Sequence, residues 1–295
     1  MKGIALLTTS CLIFCVSMTS CTSMIGKRMA RSITESEQAL QSYPDPKTIE
    51  LAFPGNLLFL ENFSRTFPDN RDILIALAKA YTGYTQGFVE DEDPLRAKTL
   101  YMRGKEFGWR ALMQNGCFRK SYKSNTVNPD WNALFQCFTK KEDVPYLFWT
   151  AAAWGGWFNL SQQDPEATSE ILFDALPIRK LMERAYKLDP DYYYGAPRMF
   201  FAIYYTQIPA SAGGGPAKAE KTFKEVFKIS NGKFLLAKVM YARYYLAAIR
   251  DREEYKRVLN EVLDAPDNIL PKARLANIMA KRKARLYLDQ MEEIF

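Results

Sequence analysis

The sequence predicts an all-α fold, a superhelix of stacked helix pairs (an α-solenoid). Three observations carry this. Helix punctuation recurs along the chain, strand signals are nearly absent, and one apolar spacing returns in three successive helices. Asp45-Pro46, Asp93-Pro94, Asn128-Pro129 and Asp164-Pro165 each pair a capping side chain with proline at the first helical position, where the missing N–H would have no intrahelical partner anyway. No Asn-Gly turn joins two alternating segments, so no hairpin is read.

The elements follow in order. Lys2, an apolar run from Gly3 to about Val16 and small residues after it make a secretory leader, too short to span a membrane. Three of the five cysteines lie in or just after it: Cys11, Cys15 and Cys21. Met18-Thr19-Ser20 before Cys21 fits lipoprotein processing, in which the thiol is acylated and becomes the new N-terminus. Cys15 follows bulky Phe14, and Cys11 comes before the apolar segment is complete. Residues 1–20 are thus expected to be removed and Cys21 to anchor the body by lipid. The alternative is an ordinary secreted protein cut near Ser20. Residues 21–44 read as a tether, and residues 45–295 as one all-α domain. Pro54-Gly55 should break the first helical segment, so helices are expected over 56–66, 70–88, 92–112, 144–161, 166–188, 193–207, 216–229, 233–249, 252–264 and 270–292. The stretch 114–143 is the least regular.

Ile178, Met182 and Ala185 are spaced by four and then three. Ala219, Phe223 and Val226 repeat that spacing, and so do Tyr255, Leu259 and Val262, at offsets of 41 and 36 residues. Each triplet lies on one helix face. These residues resemble the second helix of the tetratricopeptide repeat, and Pro190 fits its closing proline. The Trp-x2-Leu-Gly signature of the first helix is missing from all three copies.

Three patches are dense enough to suggest more than packing. YLFWTAAAWGGWFNL (146–160) is apolar on both helix faces, with Trp149 and Trp157 on one and Trp154 on the other. Gly155 and Gly156 inside it each cost about 1 kcal/mol against alanine, which close backbone approach or room for a ligand would have to offset. DYYYGAPRMFFAIYY (191–205) would align Tyr194, Phe201 and Tyr205 on one face, with Arg198 among the rings. Both patches read as core helix or as the lining of an aromatic cavity, and Trp149, Trp154, Trp157, Tyr194, Arg198, Phe201 and Tyr205 are the lining candidates. For Arg198 an internal acidic partner is favoured over a ligand. KARLANIMAKRKARLYL (272–288) contains no acid; it reads as a solvated basic face rather than a nucleic-acid site.

Composition narrows the chemistry. The chain has no histidine, which excludes Ser-His-Asp and Cys-His catalysis and imidazole metal sites. No metal or cofactor is expected. Removing Lys2 with the leader reduces the formal charge from +7 to +6, a balance suited to solubility or an anionic surface. Cys117 and Cys137 are the pair left outside the leader. They form either a disulfide, contributing about 3 kcal/mol in the chain-entropy model, or two separately buried thiols.

Taken in order, LLFLENFSRTFPDN, ALAKAYTGYTQGFVEDED, VPYLFWTAAAWGGW, LMERAYKLDPDYYYGAP and ANIMAKRKARLYLDQMEEIF resemble the T-component lipoproteins of TRAP (tripartite ATP-independent periplasmic) transporters over residues 46–295. The resemblance implies a periplasmic lipoprotein with a tetratricopeptide-like fold, a TRAP substrate-binding protein as partner and trimeric assembly. It also implies handling of an apolar organic acid and brings no catalytic residue. Two rivals stand beside it: a general envelope scaffold, and a glycan-cleaving enzyme using one glutamate. Glu170 and Glu183 lie on ordinary amphipathic segments and mark no such site.

Overall fold

The computed structural model describes residues 39–40, 43, 45–162 and 171–295. The leader with Cys21, the tether up to residue 38, the Asp164-Pro165 pair and Glu170 lie outside the described residues. Among the described residues all regular structure is helical.

Helix α1 runs Pro46–Thr66, capped by the Asp45 carboxylate, which accepts from Lys47 N at 2.9 Å and Thr48 N at 3.2 Å. The expected break at Pro54-Gly55 does not occur. Ile49 and Leu57 lie two turns apart on one buried face, and their packing holds the halves together across the one hydrogen bond proline removes. Helix α2, Arg71–Tyr84, is capped by Asn70 and continues as a π turn, Thr85–Val89. There Glu90 N reaches back five residues to Thr85 O. Helix α3, Pro94–Met113, starts on the Asp93 cap.

The irregular stretch holds two short helices, α4 Gly116–Ser124 and α5 Trp131–Phe135. Asn128 does not cap α5. Asp130 does, accepting from Ala133 N at 3.1 Å, while Asn128 N donates to Asn125. Pro129 therefore precedes the cap instead of opening the helix. Cys117 and Cys137 are joined by a disulfide across this stretch.

Helix α6 spans Val144–Gln162 and α7 spans Leu172–Leu188. Helix α8, Tyr192–Gln207, is regular only after a left-handed turn, because Tyr193, Tyr194 and Gly195 all have positive φ. Pro197 cannot donate to a helix running in from Tyr192, so the helix restarts around it. The expected stripe of Tyr194, Phe201 and Tyr205 is broken at this turn. Beyond lie α9 Pro216–Ile229, α10 Leu235–Met240 with a second π turn Tyr241–Leu246, α11 Arg252–Asp264, α12 Arg274–Asp289 and α13 Met291–Ile294. The last segment predicted as one helix is thus a 3-10 turn and two helices that part at Gln290.

Packing follows chain order, as a helix-pair superhelix requires: α1 on α2, α2 on α3, α3 and α2 on α6, α6 on α7, α8 on α9, and α10 and α11 on α12. The nine triplet residues of α7, α9 and α11 are all buried. Asn277 on α12, fully buried, accepts from Leu235 N and donates to Lys233 O, both at 2.9 Å, and so ties α12 to the start of α10. Helix α3 meets α6 closely: a Cβ at Gly108 would lie 2.4 Å from Thr150 Oγ1, and one at Gly156 would lie 2.6 Å from the Tyr101 ring.

The basic run is a solvated face only in part: Lys272, Arg282 and Arg285 are exposed, but the middle of the run is drawn into ion pairs. Lys283 is 2% exposed and paired with Glu90 and Asp91, Lys281 pairs with Asp267, and Arg282 pairs with Glu92. Helix α12 thereby closes onto the loop between α2 and α3.

Candidate functional site

Helix α7 presents two sides. Ile178, Leu181, Met182 and Ala185 face the core, while Arg179, Glu183 and Tyr186 face α8. From α8 come Phe201, Tyr204 and Tyr205. The loop 208–215 turns back beneath them because Gly215 N donates to the carbonyls of Tyr205 and Ile208, each at 2.9 Å. A glycine is required beside that turn, since a Cβ at Gly214 would stand 2.2 Å from Ile208 Cγ1. The result is an open groove of 310 Å³, aromatic at its base and rimmed by Arg179 and Glu183. Tyr186 meets Phe201 edge-on at 5.3 Å, and the Lys218 ammonium sits 3.9 Å over the Tyr205 ring. Glu183 is held in ion pairs with Lys180 (2.7 Å) and Arg179 (3.5 Å).

The seven lining candidates fall in different places. Phe201 and Tyr205 line the groove. Arg198 stands behind Tyr186, with Nε on Asp191 at 2.7 Å and Nη1 on Glu225 at 3.0 Å, so its partners are internal. Tyr194 leaves this face at the left-handed turn and stacks on Phe234 at 4.6 Å. Trp149 is a core residue whose indole donates to the Tyr192 hydroxyl at 3.0 Å.

Trp154 and Trp157 gather elsewhere, around Lys105 of α3. The Lys105 ammonium lies 3.7 Å over the Trp154 ring and 5.8 Å from that of Trp157. Burial pulls this lysine below its ordinary value, and the charge of Asp174 opposes the shift. Burial raises the Asp174 carboxyl, opposed by Lys105 and the Trp154 N–H.

The sequence marks neither Arg179 nor Tyr186, and shows Glu183 only on an ordinary amphipathic segment, because the groove depends on how α8 restarts. Lys105 left a signal: it stands between Tyr101 and Trp109 at four-residue spacing, a cation on an otherwise aromatic stripe. Among the described residues no cluster of three acidic, cysteine or histidine side chains could hold a metal ion. No helix there is long and apolar enough to cross a membrane.

A helix-pair superhelix with an aromatic groove defines an all-α protein of the tetratricopeptide-like class. Within that class, the profile of the TRAP transporter T-component family matches residues 42–295, and the chain belongs to that family. It is also similar to a protein of Treponema pallidum (strain Nichols) described as uncharacterized. The two are 22% identical over 244 residues, which cover 77% of this chain and 73% of the relative.

Proposed function

We propose that this chain is a periplasmic accessory of a TRAP transporter. A lipid on Cys21 holds it at the inner membrane. It binds the transporter's substrate-binding protein and handles a small hydrophobic organic acid in the groove between α7 and α8. The observation that carries this reading is the family profile, which spans nearly all of the body. Two features support it. The groove offers aromatic surface with the Arg179 cation at its rim, a lining suited to an apolar acid. Helix α1 exposes Leu51, Leu58 and Phe59 at 70%, 65% and 63% on one face, the kind of apolar patch that marks a protein contact. Assembly as a trimer belongs to the same reading through the family resemblance.

Biolayer interferometry of the soluble body against a purified TRAP-type substrate-binding protein tests the partnership. Saturable binding in the micromolar range is expected. Absence of binding, with and without a hydrophobic organic acid, overturns it. Native mass spectrometry of the protein extracted from its own cells reads subunit number, partner and retained ligand together.

A further inference from the structure

On the other side of α7, where it packs on α6, two strong donors complete no hydrogen bond. Lys105 lies against the Trp154 and Trp157 rings with no hydrogen bond or ion pair among the described residues. Trp154 is 5% exposed, and its buried indole Nε1 completes no hydrogen bond. A buried N–H left unmade costs about 1–3 kcal/mol, and an ammonium drawn out of water without a partner costs more. Asp174 is the nearby acid: its charge acts on Lys105 and its carboxylate draws on the Trp154 N–H, but it completes a full hydrogen bond with neither. Lys105 and Trp157 are only half-buried. Beside Asp174, the first turns of α7 expose Leu172 and Phe173 at 58% and 80%.

We propose that Lys105 Nζ and the Trp154 indole N–H receive the carboxylate of an amphiphilic monocarboxylic acid whose apolar tail lies on Trp157, Leu172 and Phe173. Lys105 Nζ stands 3.7 Å over the centre of the ring that carries the Trp154 N–H, so a carboxylate at the ring edge is offered one donor for each oxygen. The aromatic faces supply a water-poor surround in which charge-assisted hydrogen bonds are strong. Asp174 is the like charge that the ligand must overcome, and it sets the affinity. The site is separate from the groove between α7 and α8 and does not depend on it.

The test uses the soluble body with ¹⁵N-labelled tryptophan and two probes, octanoate and its neutral counterpart octanamide. The Trp154 indole resonance is assigned by its loss in W154F. Octanoate is expected to move that resonance and to bind at least tenfold more tightly than octanamide. K105M weakens octanoate at least tenfold, and D174N tightens it severalfold. If K105M does not fold, D174N and W154F still decide. Equal binding of the two probes, no octanoate binding at millimolar concentration, or no response to D174N overturns the proposal. Binding that leaves the Trp154 resonance unmoved also overturns it. That last result would place the acid in the α7–α8 groove, whose lining contains no tryptophan, and would leave the groove reading intact.

Discussion

The ammonium of Lys283 stands 2.7 Å from the carboxylate of Glu90, across 193 residues of chain. Asp91 accepts from the same ammonium at 2.5 Å, and the Tyr101 hydroxyl donates to the other oxygen of Glu90 at 2.5 Å. Lys283 is almost wholly buried. Burial alone would pull it down, but the charges of Glu90, Tyr287 and Asp91 override that and hold it above its ordinary value. The pair fastens the last long helix of the superhelix to the acidic loop after α2, so two ends of an open solenoid become one clamped body.

Lys283→Met removes a buried cation and leaves two partly buried carboxylates uncompensated beside each other. A loss of about 3–5 kcal/mol is expected, read as a lower midpoint in urea. The sign with pH follows from the raised value. The stabilisation from Lys283 is fully present below the ordinary lysine value of 10.5 and is lost as pH rises toward the higher folded value. The stability gap between wild type and K283M should therefore be constant near neutrality and shrink above that value. A gap that widens with alkali would contradict the clamp.

Gly155 and Gly156 should respond oppositely to alanine. A Cβ at Gly155 meets only Ile178 Cγ2, at 3.8 Å, an ordinary contact. Gly155→Ala should therefore gain about 1 kcal/mol from helix propensity. A Cβ at Gly156 would strike the Tyr101 ring at 2.6 Å, and that ring is pinned by its hydroxyl on Glu90. Gly156→Ala should cost about 1–3 kcal/mol as overpacking. Thermal melts of the two variants decide it; equal shifts would mean that the α3–α6 contact is softer than it stands.

What was legible in the sequence was what depends on helical periodicity. The triplets of α7, α9 and α11 marked buried faces because the period of an α-helix alone fixes which side chains share a side. What was not legible depends on distant partners. The Lys281-Arg282-Lys283 run looked like a wet surface, yet its counterpart, the acids Glu90 to Asp93, stood in plain view far upstream. Nothing in one chain states that two charge runs meet. Likewise an uninterrupted period sets Tyr194 with Phe201, and the left-handed turn at Tyr193–Gly195 moves it to Phe234.

The disulfide should act locally. Cys117 and Cys137 close a separation of 20 residues around Phe118, which is fully buried and stacks on Phe135 at 5.8 Å. Replacing both cysteines by serine should cost about 3 kcal/mol through the freed unfolded chain. Hydrogen exchange should then quicken in α4 and α5 while α9 to α12 keep their protection. Uniform acceleration throughout would mean that this staple supports the whole superhelix.

The exposed face of α1 gives the partner reading its sharpest test. Leu58 and Phe59 lie on the surface, and Phe59 touches Phe63 edge-on at 4.9 Å. Aspartate at both positions leaves the buried face, Ile49 and Leu57, untouched, so the melting temperature should move by less than about 2 °C, given roughly 2–4 °C per kcal/mol for a body of this size. Binding of the substrate-binding protein, measured by interferometry, should weaken at least tenfold, since apolar anchors carry most of the energy of such contacts. Sedimentation velocity on the same variant separates the other occupant. Retained receptor binding with loss of self-association would assign this face to a second copy of the chain, whereas retention of both would free α1 from either contact.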